Sequence, residues 1–420
     1  MTEATTVYVV ADTHLGLRAR FHGEERDRPR YLGALLRWLG LRKEDTDEPA
    51  RLGGFIRWLA VTARESVEIP VLARDRVERR RLRPASHLIL LGDIIELWDA
   101  ENQDVLLSTI PVAETLCLVK AEKTYVLGNH DNILASSEGS YPFGDPDLKI
   151  VRDTYPEADG EGRLCPLRIG DRSYLFVHGH QFDRHFLRAE KLWKVLPYVR
   201  QFGAALGSYS WLLFLWWLIA LAGLFVEATF WAWFLAAGLP ILWVPRAYMT
   251  VARRAWKRFA GTRFDRAAAL RGVGVWWSRF HGRLDEVGNL GLVYGHTHYL
   301  DWLEEPPDRG TTAGVPDSER GIRQLLRHHG SPIALYNVSS WVTTYGRRDK
   351  VVRATLLYID EAGPLFLGWN WESHEPFHIP FEFVAKRRRG RGLDVAERQE
   401  AADLGWPSQL IDKWQIPEGI

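Results

Sequence analysis

At 420 residues the chain has room for one large domain or two ordinary ones. Its 54 basic and 53 acidic residues leave a net charge of +1, which removes the general reason to expect long nucleic acid as a partner. The two cysteines, Cys117 and Cys165, match no zinc spacing and fit a reducing compartment.

The first residues, MTEATTVYVVADTH, lack a basic segment followed by an apolar one, so no cleaved secretory signal is expected. They run almost directly into a strand, Thr6–Ala11 (TVYVVA), which ends at Asp12-Thr13-His14. The next stretch, Leu17 to Ser86, is Arg-rich and mixed in sign. It reads as one amphipathic helix, Ala50–Glu65, with surface insertions around it. His87–Leu91 (HLILL) is a strand ending at Gly92-Asp93, and a helix is expected over Asn102–Leu118. Lys123–Leu127 (KTYVL) runs into Gly128-Asn129-His130-Asp131, and Ser173–Val177 (SYLFV) runs into His178-Gly179-His180. Leu290–Tyr294 (LGLVY) runs into Gly295-His296-Thr297-His298. Beyond a Pro- and Gly-rich loop over Glu304–Glu319, two more strands are predicted, Ile333–Val342 and Val351–Ile359. The chain then carries Lys386-Arg387-Arg388-Arg389 and a polar, helix-compatible tail.

Short apolar strands that each end in metal-type side chains suggest an α/β sheet with its site at the strand ends. Taken singly the motifs are weak: Asp-x-His is common by chance, and Gly-Asp after a strand is usually a turn. In order, each after a strand, they point to one shared metal site. Carboxylate, amide oxygen and imidazole together suit Mn²⁺, Fe, Zn²⁺ or Mg²⁺. Two such ions about 3.5–4 Å apart form a device for cleaving phosphate esters, with one carboxylate between them bridging both.

DTH (12–14), GD (92–93), GNHD (128–131), HGH (178–180) and GHTH (295–298) resemble the motifs of the calcineurin-like metallophosphoesterases. The resemblance implies a four-layer α/β fold, a central β-sandwich flanked by helices, around two divalent ions, with Mn²⁺ the first expectation. It implies that Asp12, His14 and His298 bind one ion and that Asn129, His178 and His296 bind the other, with Asp93 bridging. His130 would act at the leaving oxygen, Asp131 would hold the His130 ring, and a hydroxide bridging the ions would attack the phosphorus. His180, off the usual ligand positions, would support a ligand. DTHL, GDIIE (92–96) and HGH are also similar to the UDP-2,3-diacylglucosamine pyrophosphatases, which usually carry Arg where this chain has His130.

Between Gln201 and Pro245 the only charged residue is Glu227, and residues 212–226 read LLFLWWLIALAGLFV. A helix of that length would extend roughly 65 Å, against a bilayer core of about 30 Å. The length fits two crossings, with Gly223 and Glu227 near the tip. Arg184, Arg188, Lys191, Lys194 and Arg200 precede it, and Arg246, Arg253, Arg254, Lys257, Arg258 and Arg263 follow. Basic flanks on both sides place both ends in the cytoplasm. The alternative is a pair of helices, or a lid, buried in a soluble domain. Arg79-Arg80-Arg81 and Lys386–Arg389 could touch anionic headgroups or lie on a solvated surface.

The expected organisation is therefore a phosphoesterase domain over 1–200, with an insertion at about 17–86, interrupted by an apolar helical hairpin at 201–245. The domain resumes over 246–384, and a basic tail follows at 385–420. The expected protein is a metallophosphoesterase at the cell membrane with its catalytic domain on the cytoplasmic side. Its substrate would be a phosphorylated small molecule or a lipid-linked phosphate or pyrophosphate. Alternatives are a nucleotide phosphodiesterase or nuclease, and a non-catalytic membrane scaffold.

Overall fold

Strands whose alternate residues are apolar on both faces must be buried on both sides. The computed structural model describes residues 5–15, 47–73, 76–97, 102–136, 145, 147–183, 229, 266–284, 288–297, 300–303, 326–328, 331–338, 341, 354–370, 373–388 and 392–413. In chain order the strands begin with β1 (Val7–Val10), β2 (Val67–Ala73), β3 (Arg76–Leu82), β4 (His87–Leu91), β5 (Glu122–Val126) and β6 (Leu148–Val151). They continue with β7 (Thr154–Tyr155), β8 (Leu167–Ile169), β9 (Arg172–Val177), β10 (Leu290–Tyr294) and β11 (Asp301–Leu303). The last are β12 (Arg327–His328), β13 (Ser331–Pro332), β14 (Ala334–Asn337), β15 (Thr355–Asp360), β16 (Gly363–Asn370) and β17 (Glu375–His378). The helices are α1 (Asp47–Val61), α2 (Asn102–Leu116), α3 (Arg266–Phe280), α4 (Phe381–Arg388), α5 (Val395–Asp403) and α6 (Ser408–Lys413).

Among the described residues, one mixed sheet has the order β17-β16-β15-β1-β4-β5-β6, and a second has the order β11-β14-β10-β9-β7 with β8 on β9. Strands β1, β4, β5 and β6 run parallel, as do β9, β10 and β14. In β1, Val7 and Val9 enter one core while Tyr8 and Val10 enter another. The core shared by the two sheets brings Val7, Val9 and Ile89 together with Tyr174, Phe176 and Val293. On the outer face of the first sheet, Phe55 and Trp58 of α1 pack with Tyr8 and Trp369. On the outer face of the second, Val273 and Trp277 of α3 pack with Leu175, Val177 and Leu292. The α/β class expected from the sequence is the one the chain adopts.

Two regions differ from the sequence reading. The stretch before Ser86 contains an antiparallel hairpin, β2–β3, beside its helix. The hairpin is fastened by Arg80, which donates to Asp360 Oδ1 at 2.6 Å and Gly363 O at 3.0 Å. Arg79 and Arg81 on either side of it are exposed. Much of the expected tail is core. Asp394 and Glu397 form a reciprocal cap on α5, and Ala401, Leu404, Trp406 and Leu410 are buried with Phe377 and Phe383. Apolar residues spaced among charges there make a helix face that only the sheet reveals.

The chain separates into two compact units, Met1–Phe182 with Ala269–Ile420, and Asp183–Ala268. The expected apolar hairpin at 201–245 lies outside the described residues apart from Thr229. Among the described residues, no helix is long and apolar enough to cross a membrane.

His378 gives the fold a test. Its Nδ1 accepts from Leu72 N–H at 3.0 Å, joining β17 to the hairpin. Burial, and then the Arg80 charge, push its pKa from 6.5 down to about 3. A base whose folded pKa is depressed resists protonation only in the folded state, so stability falls as pH drops below 6.5 towards 3. Over that range wild type should lose about 1.4 kcal/mol more per pH unit than His378→Gln, measured by urea unfolding at stepped pH.

Candidate metal centre

Each candidate ligand follows the carboxyl end of a parallel strand. Asp12 and His14 come after β1, Asp93 after β4, and Asn129, His130 and Asp131 after β5. His178 follows β9 and His296 follows β10. The strand ends are drawn together by backbone bonds: Asp12 N–H donates to Gly92 O at 3.0 Å and His14 N–H to Asp93 O at 2.8 Å. Between the sheets, His296 N–H donates to Asp12 Oδ2 at 2.8 Å, and His178 Nδ1 donates to Leu91 O at 3.0 Å. His298 lies outside the described residues.

The turns are tight. Asp12, His14, Asp93 and His296 have φ of 51°, 45°, 50° and 65°. Left-handed backbone at non-glycine residues costs about 1–3 kcal/mol each and persists only where the surroundings enforce it. Asp and His are among the residues that tolerate it best. Gly128 is required by close approach, since a Cβ there would overlap Asp93 Oδ1 and Asp93 N.

Three sets of side chains bring ligand atoms within 4.8 Å of one another: Asp12 with His14 and Asp93, Asp93 with His178 and His296, and His14 with Glu96 and His130. Asp93 is shared by the first two. Its Oδ2 lies 3.2 Å from His178 Nε2 and 4.0 Å from both His14 Nε2 and His130 Nε2. Its Oδ1 accepts from His130 N–H at 2.8 Å. Asn129 Oδ1 is 3.3 Å from His178 Nε2. Because a carbonyl can only accept, the bond to Leu91 fixes the His178 hydrogen on Nδ1. Nε2 is left facing two oxygens. His180 sits beside the centre, its ring 5.5 Å from that of His178, and belongs to none of the three sets.

The third set corrects the reading of Asp131. The carboxylate at the His130 ring is that of Glu96, whose Oε1 is 2.9 Å and Oε2 2.8 Å from His130 Nδ1. Glu96 Oε2 is also 2.9 Å from His14 Nδ1. Asp131 turns inward, accepting from Gly128 N–H at 2.6 Å, Ile94 N–H at 2.9 Å and the Tyr125 hydroxyl. It thereby holds the turn that carries Asn129 and His130. Glu96 closes the GDIIE run. Its place three residues after Asp93 was the available signal, and its reach to two rings was not readable from spacing.

No protein-family model matches this chain, and no curated protein matches it. The case for a metal rests on the donors themselves. Asp12, Asp93, Glu96 and Asp131 are all buried. Burial alone would raise Asp93 and Glu96, but for Asp93 the His178, His130 and His14 rings outweigh it, and for Glu96 the His130 and His14 rings do. Both carboxyls are held well below the usual range. Burial and the Asp93 charge instead push Asp131 up to about 6, against the Tyr125 hydroxyl. Burial would lower His178, yet Asp93 overrides it and raises the ring to about 9. So dense a group of buried carboxylates draws positive charge, and a cation among oxygen and imidazole donors meets that demand.

If Glu96 orients His14 and His130 through their Nδ1 atoms, removing it loosens a ligand without removing one. Glu96→Ala should weaken Mn²⁺ binding by about 10–100-fold, read by competition with a chromogenic chelator.

Proposed function

We propose that this chain is a metal-dependent phosphoesterase of the calcineurin-like kind, hydrolysing a phosphate mono- or diester or a pyrophosphate. The observation that carries the reading is Asp93, which belongs at once to a cluster with Asp12 and His14 and to a cluster with His178 and His296. A shared carboxylate between two sets of hard and imidazole donors is the arrangement a two-ion centre needs. On this reading Asp12 and His14, with His298, hold one divalent ion, and Asn129, His178 and His296 hold the other, Mn²⁺ being the first candidate. Bound there, the ions would supply Lewis-acid activation of the phosphoryl group and of the attacking water.

The chain's own residues account for the rest. Glu96 keeps a hydrogen on His130 Nδ1 and fixes the ring, so Nε2, 4.0 Å from Asp93 Oδ2, would be the atom that exchanges a proton with the leaving oxygen. Asp131 keeps the GNHD turn in the shape that points Asn129 and His130 inward. The apolar run 201–245 and its basic flanks support a site at the cell membrane, facing the cytoplasm, with a lipid-linked phosphate among its substrates.

The test is hydrolysis by the full-length chain with Mn²⁺ present. Asp93→Ala should abolish turnover of p-nitrophenyl phosphate and of its bis ester; full activity in that variant would sink the assignment. His130→Ala should slow hydrolysis of an alkyl phosphate by about 10²–10⁴-fold, the usual range for a lost general acid. On the p-nitrophenyl ester, whose leaving oxygen needs no proton, the loss should be much smaller.

A further inference from the structure

The chain departs from the first compact unit beside His178. The 3₁₀ turn His180–Phe182 follows directly on that ligand, and Asp183 begins the second unit. Phe182 N–H closes the turn on Gly179 O at 3.0 Å. The Phe182 ring is buried and meets Trp276 of α3 edge-on, at 5.1 Å between centroids, and Tyr294 of β10 edge-on, at 5.4 Å. Its carbonyl rests so closely on α3 that a Cβ on Gly272 would overlap Phe182 O. Tyr294 is two residues before His296, and Gly295 N–H donates to His178 O at 2.9 Å. One side chain therefore braces both of the turns that carry His178 and His296.

We infer that Phe182, Gly272 and Trp276 form a clamp that positions His178 and His296 and thereby sets ion affinity at the Asp93–His178–His296 cluster. The clamp offers no donor to an ion. It acts by fixing where two imidazoles stand, and metal–ligand distances tolerate only about 0.2 Å of error. The inference rests on the metal-centre reading above.

Mn²⁺ titration calorimetry on the full-length, chelator-stripped protein tests it, with urea unfolding run on each variant. Phe182→Leu and Gly272→Ala should each weaken Mn²⁺ binding by about 10–100-fold, the range found when groups behind a ligand are disturbed. Gly272→Ala is the sharper arm, because it removes no side chain and its Cβ presses on the Phe182 backbone, so affinity should fall by more than the urea midpoint accounts for. Phe383→Leu is the control. Phe383 is buried against Trp406 in the other core cluster, and its loss should leave affinity unchanged. Wild-type affinity in both clamp variants, or an equal loss in Phe383→Leu, overturns the clamp. Failure of the wild-type chain to take up Mn²⁺ overturns the metal centre itself, so the two failures are distinguishable.

Discussion

A carboxylate with 1% of its surface exposed has given up nearly all its water, and Asp93 is such a group. An unpaired ion in that position would cost several kcal/mol, so everything around it must return charge or hydrogen bonds. Four groups from three residues do so. The His130 amide serves one oxygen, and the rings of His14, His130 and His178 surround the other. Each ring is held from behind, His14 and His130 by Glu96 and His178 by the Leu91 carbonyl. The two sheets meet at this end through the same demand, because Asp12 takes the His296 amide across the gap.

The backbone at the site follows from the same constraint. To converge, the ligands must leave their strands abruptly, and four of them, Asp93 included, do so with positive φ. The strain is tolerable because the parallel strands behind them are buried on both faces and cannot shift to relieve it. The two packed sheets make the strained rim possible, and the rim gathers the buried donors.

Much of this was legible in the sequence, for reasons that can be named. HLILL and LGLVY are pure apolar runs with a polar stop, and the strands His87–Leu91 and Leu290–Tyr294 coincide with them. DTH, GD, GNHD, HGH and GHTH announced their convergence because each follows such a strand. The hairpin β2–β3 was hidden because its strands are half-exposed and RVERRRL reads as a charged surface; Arg80 turns inward only because Asp360 awaits it, 280 residues on. β16 was hidden by Gly363, Pro364 and Gly368, residues that suggest loops until a neighbouring strand buries them. That Glu96, and not Asp131, holds the His130 ring was out of reach of spacing. Both are acids near a histidine, and only the direction in which the 128–131 turn closes decides which carboxylate meets the ring.

The pairing of β9 with β10 carries a consequence for how the protein is made. Ser173 to Val177 align with Leu290 to Tyr294 as direct neighbours, yet everything from Asp183 to Ala268 is translated between them. The nascent chain thus presents β9 with an open edge while that whole unit is emerging, and β1 waits longer still for β15. Domains form as units during synthesis, and here His296 cannot join Asp93 and His178 until the intervening stretch has been made. Closure of the Asp93–His178–His296 cluster is therefore a late event, timed by translation of the unit that lies between its two histidines.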